Sequence, residues 1–133
     1  MRIVLDANVV VAAFAARGLC ESVFELSLSS HEVLLSESLL DEVCRNLAKK
    51  VKLDQHTIAA IERLLRENGT LFVPAAVAAG ACRDADDLEI LGLAEAGRAD
   101  YIVTGDADLL VLKRFGRCRI VTPRQFWSVV QRQ

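Results

Sequence analysis

Acidic side chains in this chain follow short apolar runs, and that placement is where chemistry could begin. Asp6 closes the run Ile3-Val4-Leu5 and is followed by Asn8. Asp106 and Asp108 come directly after Tyr101-Ile102-Val103-Thr104. Glu42 lies in a segment of helical spacing after Glu32-Val33-Leu34-Leu35, and Asp87 ends the block Arg83-Asp84-Ala85-Asp86-Asp87 beyond Leu71-Phe72-Val73. No Gly-rich phosphate loop, serine elbow or histidine stands at these places. Carboxylates are hard oxygen donors, and without Cys or His beside them they select Mg²⁺ or Mn²⁺. Two such ions about 3.5–4 Å apart serve in-line displacement at phosphorus, one activating water and the other steadying the leaving oxygen.

Helical phase separates these acids from ordinary ones. Asp87 precedes Ile90, Leu91 and Ala94 by three, four and seven residues and shares their inward face, whereas Asp86 and Glu89 point elsewhere. Asp41 stands four before Arg45, the spacing of an exposed pair. Glu42 borders the stripe of Leu39 and Val43 and has Asn46, not a cation, four residues on. Each acid also has a plain reading. Glu42 reads as a solvated helix residue, Asp84 or Asp86 as a helix cap, Asp87 as a first-turn acid and Asp108 as a turn residue. Asp6 resists this, because a carboxylate closing an apolar strand is costly unless something compensates it. Jointly the plain readings fail, since four acids on one edge repel one another without cations.

The elements that must position these acids alternate along the chain. Strands are expected at 3–5, 32–35, 71–73, 101–104 and 119–121. Helices are expected at about 19–28, from Glu37, at about 54–67, through about Ala96, near Asp106 and from Pro123. Such alternation implies an α/β parallel sheet between helices, whose ligands bind beyond the carboxyl ends of the strands. The 133 residues suit one domain spanning 1–133 that needs no staple. With 53% apolar and 26% charged residues, the chain is not of the disordered class, and the apolar excess hints at self-association. A net charge of −2 sets up no global basic field. Cys20, Cys44, Cys82 and Cys118 are too widely spaced for a zinc site, so free thiols in the cytoplasm are expected. No apolar run approaches the ~18 residues of a membrane span. The N-terminal apolar stretch is read as a strand rather than a leader, because Asp6 and Asn8 interrupt it.

Four blocks in order carry a family resemblance. They are Ile3-Val4-Leu5-Asp6-Ala7-Asn8, Ser36-Glu37-Ser38-Leu39-Leu40-Asp41-Glu42, Arg83-Asp84-Ala85-Asp86-Asp87-Leu88-Glu89-Ile90-Leu91, and Ala99-Asp100-Tyr101-Ile102-Val103-Thr104-Gly105-Asp106-Ala107-Asp108-Leu109-Leu110. Through them the chain resembles PIN-domain nucleases over nearly its whole length, nearest the branch of toxins in bacterial and archaeal toxin–antitoxin pairs. The resemblance implies a five-stranded parallel sheet flanked by helices on both faces. It implies Asp6, Glu42, Asp87 and Asp106 as catalytic, metal-binding acids, with Thr104, Asn8 and Asp108 supporting them by orienting a ligand or water. It also implies an endoribonuclease using Mg²⁺ or Mn²⁺ on single-stranded RNA and leaving a 5′-phosphate. A homodimer and a cognate antitoxin partner belong to the same expectation. The family's usual Pro between the acids after strand three is Ala85 here, which touches the start of the helix rather than the site.

Two rivals share parts of this pattern. A receiver-type phosphoacceptor domain would want a double acid closing strand one and a Lys closing strand five, where this chain has Asp6-Ala7 and Thr122-Pro123. A catalytically silent PIN-like module binding RNA or protein would not need the complete acid set. Lys49, Lys50 and Lys52 end the Glu42 helix, and Lys113, Arg114, Arg117, Arg119 and Arg124 cluster near the last strand. Each alone reads as a helix-end or solvated cation, yet a nuclease needs some of them on phosphates. Phe14, Phe24, Phe126 and Trp127 read as core.

Overall fold

The computed structural model describes residues 1–133. Its apolar runs form the strands β1 (Arg2–Leu5), β2 (Glu32–Leu35), β3 (Gly69–Leu71), β4 (Tyr101–Val103), β5 (Arg114–Phe115) and β6 (Cys118–Val121). The helices are α1 (Ala7–Ala15), α2 (Leu19–Ser30), α3 (Glu37–Asn46), α4 (Gln55–Asn68), α5 (Leu88–Ala96), α6 (Ala107–Leu110) and α7 (Pro123–Gln131). Side-chain caps start several of them: Ser36 accepts from the Leu39 N–H at 3.2 Å, and Asp54 from the Thr57 N–H at 2.7 Å. Thr122 and Gln125 close a capping box ahead of α7, with Pro123 in its first turn.

The sheet runs β3-β2-β1-β4-β6-β5, and β3, β2, β1, β4 and β6 are all parallel. The chain therefore builds outward from β1 in one direction and then returns to build from β4 in the other. Right-handed crossovers put the helices of the two halves on opposite faces. The reversal between β1 and β4 is the switch point where a crevice opens beyond the carboxyl ends. Ile3, Val4, Leu34 and Ile102 are fully buried in the centre of the sheet. Phe24 and Phe126 are buried, and Phe14 and Trp127 pack against the core, as expected.

Three expectations need correction. The sheet has six strands rather than five, because Arg114–Phe115 folds back antiparallel onto β6. Two residues are too short a run to show periodicity. The first strand ends at Leu5 as expected, but the apolar stretch after it, read as strand, is the helix α1. Asp6 caps that helix through the Ala7 N–H at 2.8 Å, so the polar residue that ends the strand also begins the helix. The third strand is Gly69–Leu71 rather than 71–73, and Phe72 continues its ladder by one bond to the Leu35 carbonyl at 2.8 Å. Val73 is 87% exposed beyond it. The four cysteines are free, and no helix is long and apolar enough to cross a membrane.

Candidate active site

Asp6 and Asp106 reach the same crevice because β1 and β4 are neighbours whose ends lie in register, Leu5 opposite Val103. The Asp6 N–H bonds the Val103 carbonyl at 2.9 Å and the Thr104 N–H bonds the Val121 carbonyl at 2.9 Å, so the ladder holds both turns. Asp6 is 5% exposed and Thr104 fully buried. The Thr104 hydroxyl donates to Asp6 Oδ2 at 2.7 Å and accepts from the Asp106 N–H at 3.0 Å, joining the two acids through one side chain. Asn8 Nδ2 donates to Asp6 Oδ2 at 3.1 Å, and Asn8 Oδ1 accepts from the Gly105 N–H at 3.0 Å. Thr104 and Asn8 thus brace the turns after β1 and β4 against each other.

Glu42 arrives on α3, whose Leu39, Leu40 and Val43 are buried, and is itself half-buried. The expected Asp41–Arg45 pair does not form; Arg45 lies instead with Glu42 along a shallow groove shared with Asp86 and Glu89. Asp87 ends a single 3₁₀ turn, Ala85–Asp87, that leads into α5. It is 7% exposed while Asp86 is exposed, as the helical phase requires. The turn is anchored from below. Gly92 of α5 lies so close to the preceding loop that an added Cβ would sit 2.3 Å from the Ala75 carbonyl oxygen.

Asp6, Glu42, Asp87 and Asp106 line one cavity of about 450 Å³, with Asn8, Asn46, Lys50, Asp84 and Asp86 also on its walls. Asp108 does not line it, but carboxylate oxygens of Asp84, Asp87 and Asp108 all lie within 4.8 Å of one another. Asp108 also fixes Asp106, its N–H bonding Asp106 Oδ1 at 2.9 Å. None of these acids has an ion-pair partner; the four ion pairs are Arg2–Glu32, Arg66–Glu37, Arg66–Glu62 and Arg117–Asp100, all elsewhere.

Unpaired acids at such density resist ionisation. Burial, the adjoining Asp106 carboxyl and the charges of Asp6 and Asp84 push Asp87 up to about 8. Burial raises Asp6 too, with Asp106 adding to it and the bonds from Thr104, Ala7 and Asn8 opposing it. Glu42 is raised by burial and by Asp6 and Asp86, against the pull of Arg45 and Lys50. A set of oxygen donors that repel one another in this way suits a hard divalent cation, which would offset the repulsion.

Three participants escaped the sequence reading. Asp84 was legible only as a cap, which it is, bonding the Asp86 N–H at 3.0 Å, but it also reaches Asp87 and Asp108. Lys50 reads as a helix-end cation and stands on the cavity wall. Cys82 is buried with its thiol 3.9 Å from Asp87 Oδ2 and 3.5 Å from the Asp108 carbonyl, and nothing in a lone cysteine's spacing marks that.

The family model described as PIN domain matches residues 2–108. No curated protein matches. Among solved structures, the chain resembles a crystal structure of VapBC2 from Rickettsia felis bound to a DNA fragment from their promoter. The TM-score is 0.60 at 18% identity, covering 90% of this chain and 97% of that one.

Proposed function

The chain belongs to the PIN-domain family, and from that premise we propose that it is a divalent-metal-dependent endoribonuclease hydrolysing RNA phosphodiester bonds. The observation that carries this is the cavity at the switch point, where Asp6, Glu42, Asp87 and Asp106 meet without a single ion-pair partner. A receiver reading has no support from the family match. A silent binding module would gain nothing from keeping this repulsion.

In this reading Asp6, Glu42, Asp87 and Asp106 hold Mg²⁺ or Mn²⁺, and Asp84 and Asp108 extend the donor set on the Asp87 side. When bound, such a cation supplies Lewis acidity, activating water and offsetting charge on the phosphate oxygens. Thr104 and Asn8 fix the orientation of the Asp6 carboxylate on the cavity wall through Oδ2. Hydrolysis adds water across the phosphodiester, leaving a 5′-phosphate and a 3′-hydroxyl. The chain acts as one domain over 1–133, in the cytoplasm, as a homodimer and as the toxin of a type II toxin–antitoxin pair. An antitoxin partner is in keeping with the fold likeness to a VapBC2 complex.

Purified protein should cut single-stranded RNA with Mn²⁺ or Mg²⁺ and stop on adding EDTA. Equal cutting in EDTA would overturn the proposal.

A further inference from the structure

The acid cavity has one cation on its wall. Lys50 is the sole Lys or Arg lining it, among Asp6, Glu42, Asp84, Asp86, Asp87 and Asp106. Its place there comes from a break in helical winding. After Asn46 the α3 ladder widens into one π-turn, Leu47–Val51, closed by Lys52 in the left-handed region at φ 61° and ψ 37° with its N–H on the Leu47 carbonyl. In an unbroken α-helix of about 3.6 residues per turn, Lys49 would stand two turns beyond Glu42 and share its face. The π-turn accommodates one extra residue, so that direction passes from Lys49 to Lys50. Lys50 lines the cavity accordingly and Lys49 does not.

The Lys50 ammonium is within ion-pair distance of no carboxylate, so its donors are free for an incoming anion. Within the proposed nuclease reading, on which this step rests, the substrate is a polyanion entering a cavity of like charge. We infer that Lys50, aimed by the Leu47–Val51 π-turn, binds a non-bridging phosphate oxygen of the RNA strand lying in the acid cavity. Lysine suits this as a compact, flexible point charge that needs no bidentate geometry.

The test compares Lys50→Met, which keeps the stem, with Lys50→Arg and with Lys49→Met on the same turn. A contact made equally in the bound and reacting states shows in KM rather than kcat. Lys50→Met should therefore raise KM by about tenfold or more with kcat little changed, the size of a lost charged hydrogen bond. Its plot of log kcat/KM against log salt should be shallower by about 0.7, the contribution of one single-strand phosphate contact. Lys50→Arg should recover most of the loss, and Lys49→Met should match the parent. Mn²⁺ binding without RNA, followed by electron paramagnetic resonance, should be unchanged or tighter in Lys50→Met, because a neighbouring positive charge is gone.

Parent KM and salt slope in Lys50→Met would overturn the inference while leaving the nuclease reading intact. So would an equal loss in Lys49→Met, which means diffuse charge, or weakened Mn²⁺ binding, which means that Lys50 props the acids. If the parent binds RNA without cutting it, the nuclease reading falls and the same slopes, read by fluorescence anisotropy, still decide the role of Lys50. A parent that neither cuts nor binds RNA removes both.

Discussion

Replacing Asp6 by asparagine keeps the shape and removes one charge, and the structure sets two opposing effects against each other. One amide oxygen can still cap α1 through the Ala7 N–H, as Asp6 Oδ1 does at 2.8 Å. The amide nitrogen then replaces Oδ2, which accepts from the Thr104 hydroxyl at 2.7 Å and from Asn8 Nδ2 at 3.1 Å; the hydroxyl can turn to accept, but at Asn8 two donors face each other. Losing that bond at a buried position costs about 1 kcal/mol. Against this, Asp106 and burial both disfavour the Asp6 charge, and its removal also relieves Glu42 and Asp87. The lost bond weighs at every pH, while the relief grows as the acids ionise. Asp6→Asn should therefore melt below the parent near pH 5 and approach or pass it near pH 8, both without metal. At roughly 2.1 cal/mol/K per residue over 133 residues, 1 kcal/mol corresponds to roughly 3–4 °C. Mn²⁺ at one hundred times Kd should stabilise the parent by about 2.7 kcal/mol, or roughly 10 °C, and the variant should lose most of that rise together with cleavage. Differential scanning fluorimetry at the two pH values, with and without Mn²⁺, reads every quantity. A folded variant that keeps the full Mn²⁺ rise and still cuts RNA would refute the assignment of Asp6.

Other consequences follow from the same geometry. Asp87 titrates near 8 in the fold and near 3.8 when unfolded, so the folded state holds an extra proton between those values. The metal-free protein should lose stability as pH rises from about 4 toward 8, and Asp87→Asn should flatten that melting profile; a parent profile that rises instead would contradict it. Gly92→Ala would push a Cβ into the Ala75 carbonyl at 2.3 Å, so a loss of about 1–3 kcal/mol is expected in denaturant titration, with weaker Mn²⁺ binding because that loop leads to Asp84 and Asp87. Multi-angle light scattering should give twice the 14.6 kDa chain mass at micromolar concentration, and a monomer alone would remove the dimer.

How much of this was legible depended on whether the determining interactions were local. The main strands were visible because buried β-branched runs such as Ile3-Val4 and Ile102-Val103 allow little else, and the order of elements then dictates a parallel sheet. Asp87 could be chosen over Asp86 because both stand in the turn that leads into α5, whose apolar side is read from Ile90, Leu91 and Ala94. The helix after Asp6 was missed because α1 is apolar nearly all round, with Ala7, Val9, Val10, Val11 and Ala13 buried, and shows no helical stripe. The edge pairing of β5 was not visible because it depends on the left-handed Lys113 and Gly116, at φ 63° and 59°, and not on any run of residue types. Lys50 was hidden for a related reason: it lies within a π-turn, and periodicity assumes α-helical winding throughout.

The sequence reading set capping against ligation as rival roles for the acids, and the structure shows why they are compatible. A carboxylate has two oxygens, and a cap uses one. Asp106 Oδ1 accepts from the Asp108 N–H at 2.9 Å, and Asp84 Oδ1 accepts from the Asp86 N–H at 3.0 Å. The other oxygen of Asp84 takes no hydrogen bond from a donor in the protein, and the Asp106 carboxyl also meets that of Asp87. The backbone bond fixes the rotamer, so the free oxygen is aimed without the entropy cost of ordering a loose side chain at the moment of binding. Asp6 differs, with Oδ1 on Ala7 and Oδ2 held by Thr104 and Asn8, so both of its oxygens already accept hydrogen bonds. Of the four proposed ligands Asp6 and Asp106 cap helices, whereas Asp87 and Glu42 cap nothing, and Glu42 sits half-buried on a longer stem. A Glu42→Ala variant should accordingly cost less metal-free stability than Asp6→Ala or Asp106→Ala, each of which loses a cap, while still weakening Mn²⁺ binding. A Glu42→Ala protein that lost more metal-free stability than Asp6→Ala or Asp106→Ala would show that capping is not what holds these side chains in place.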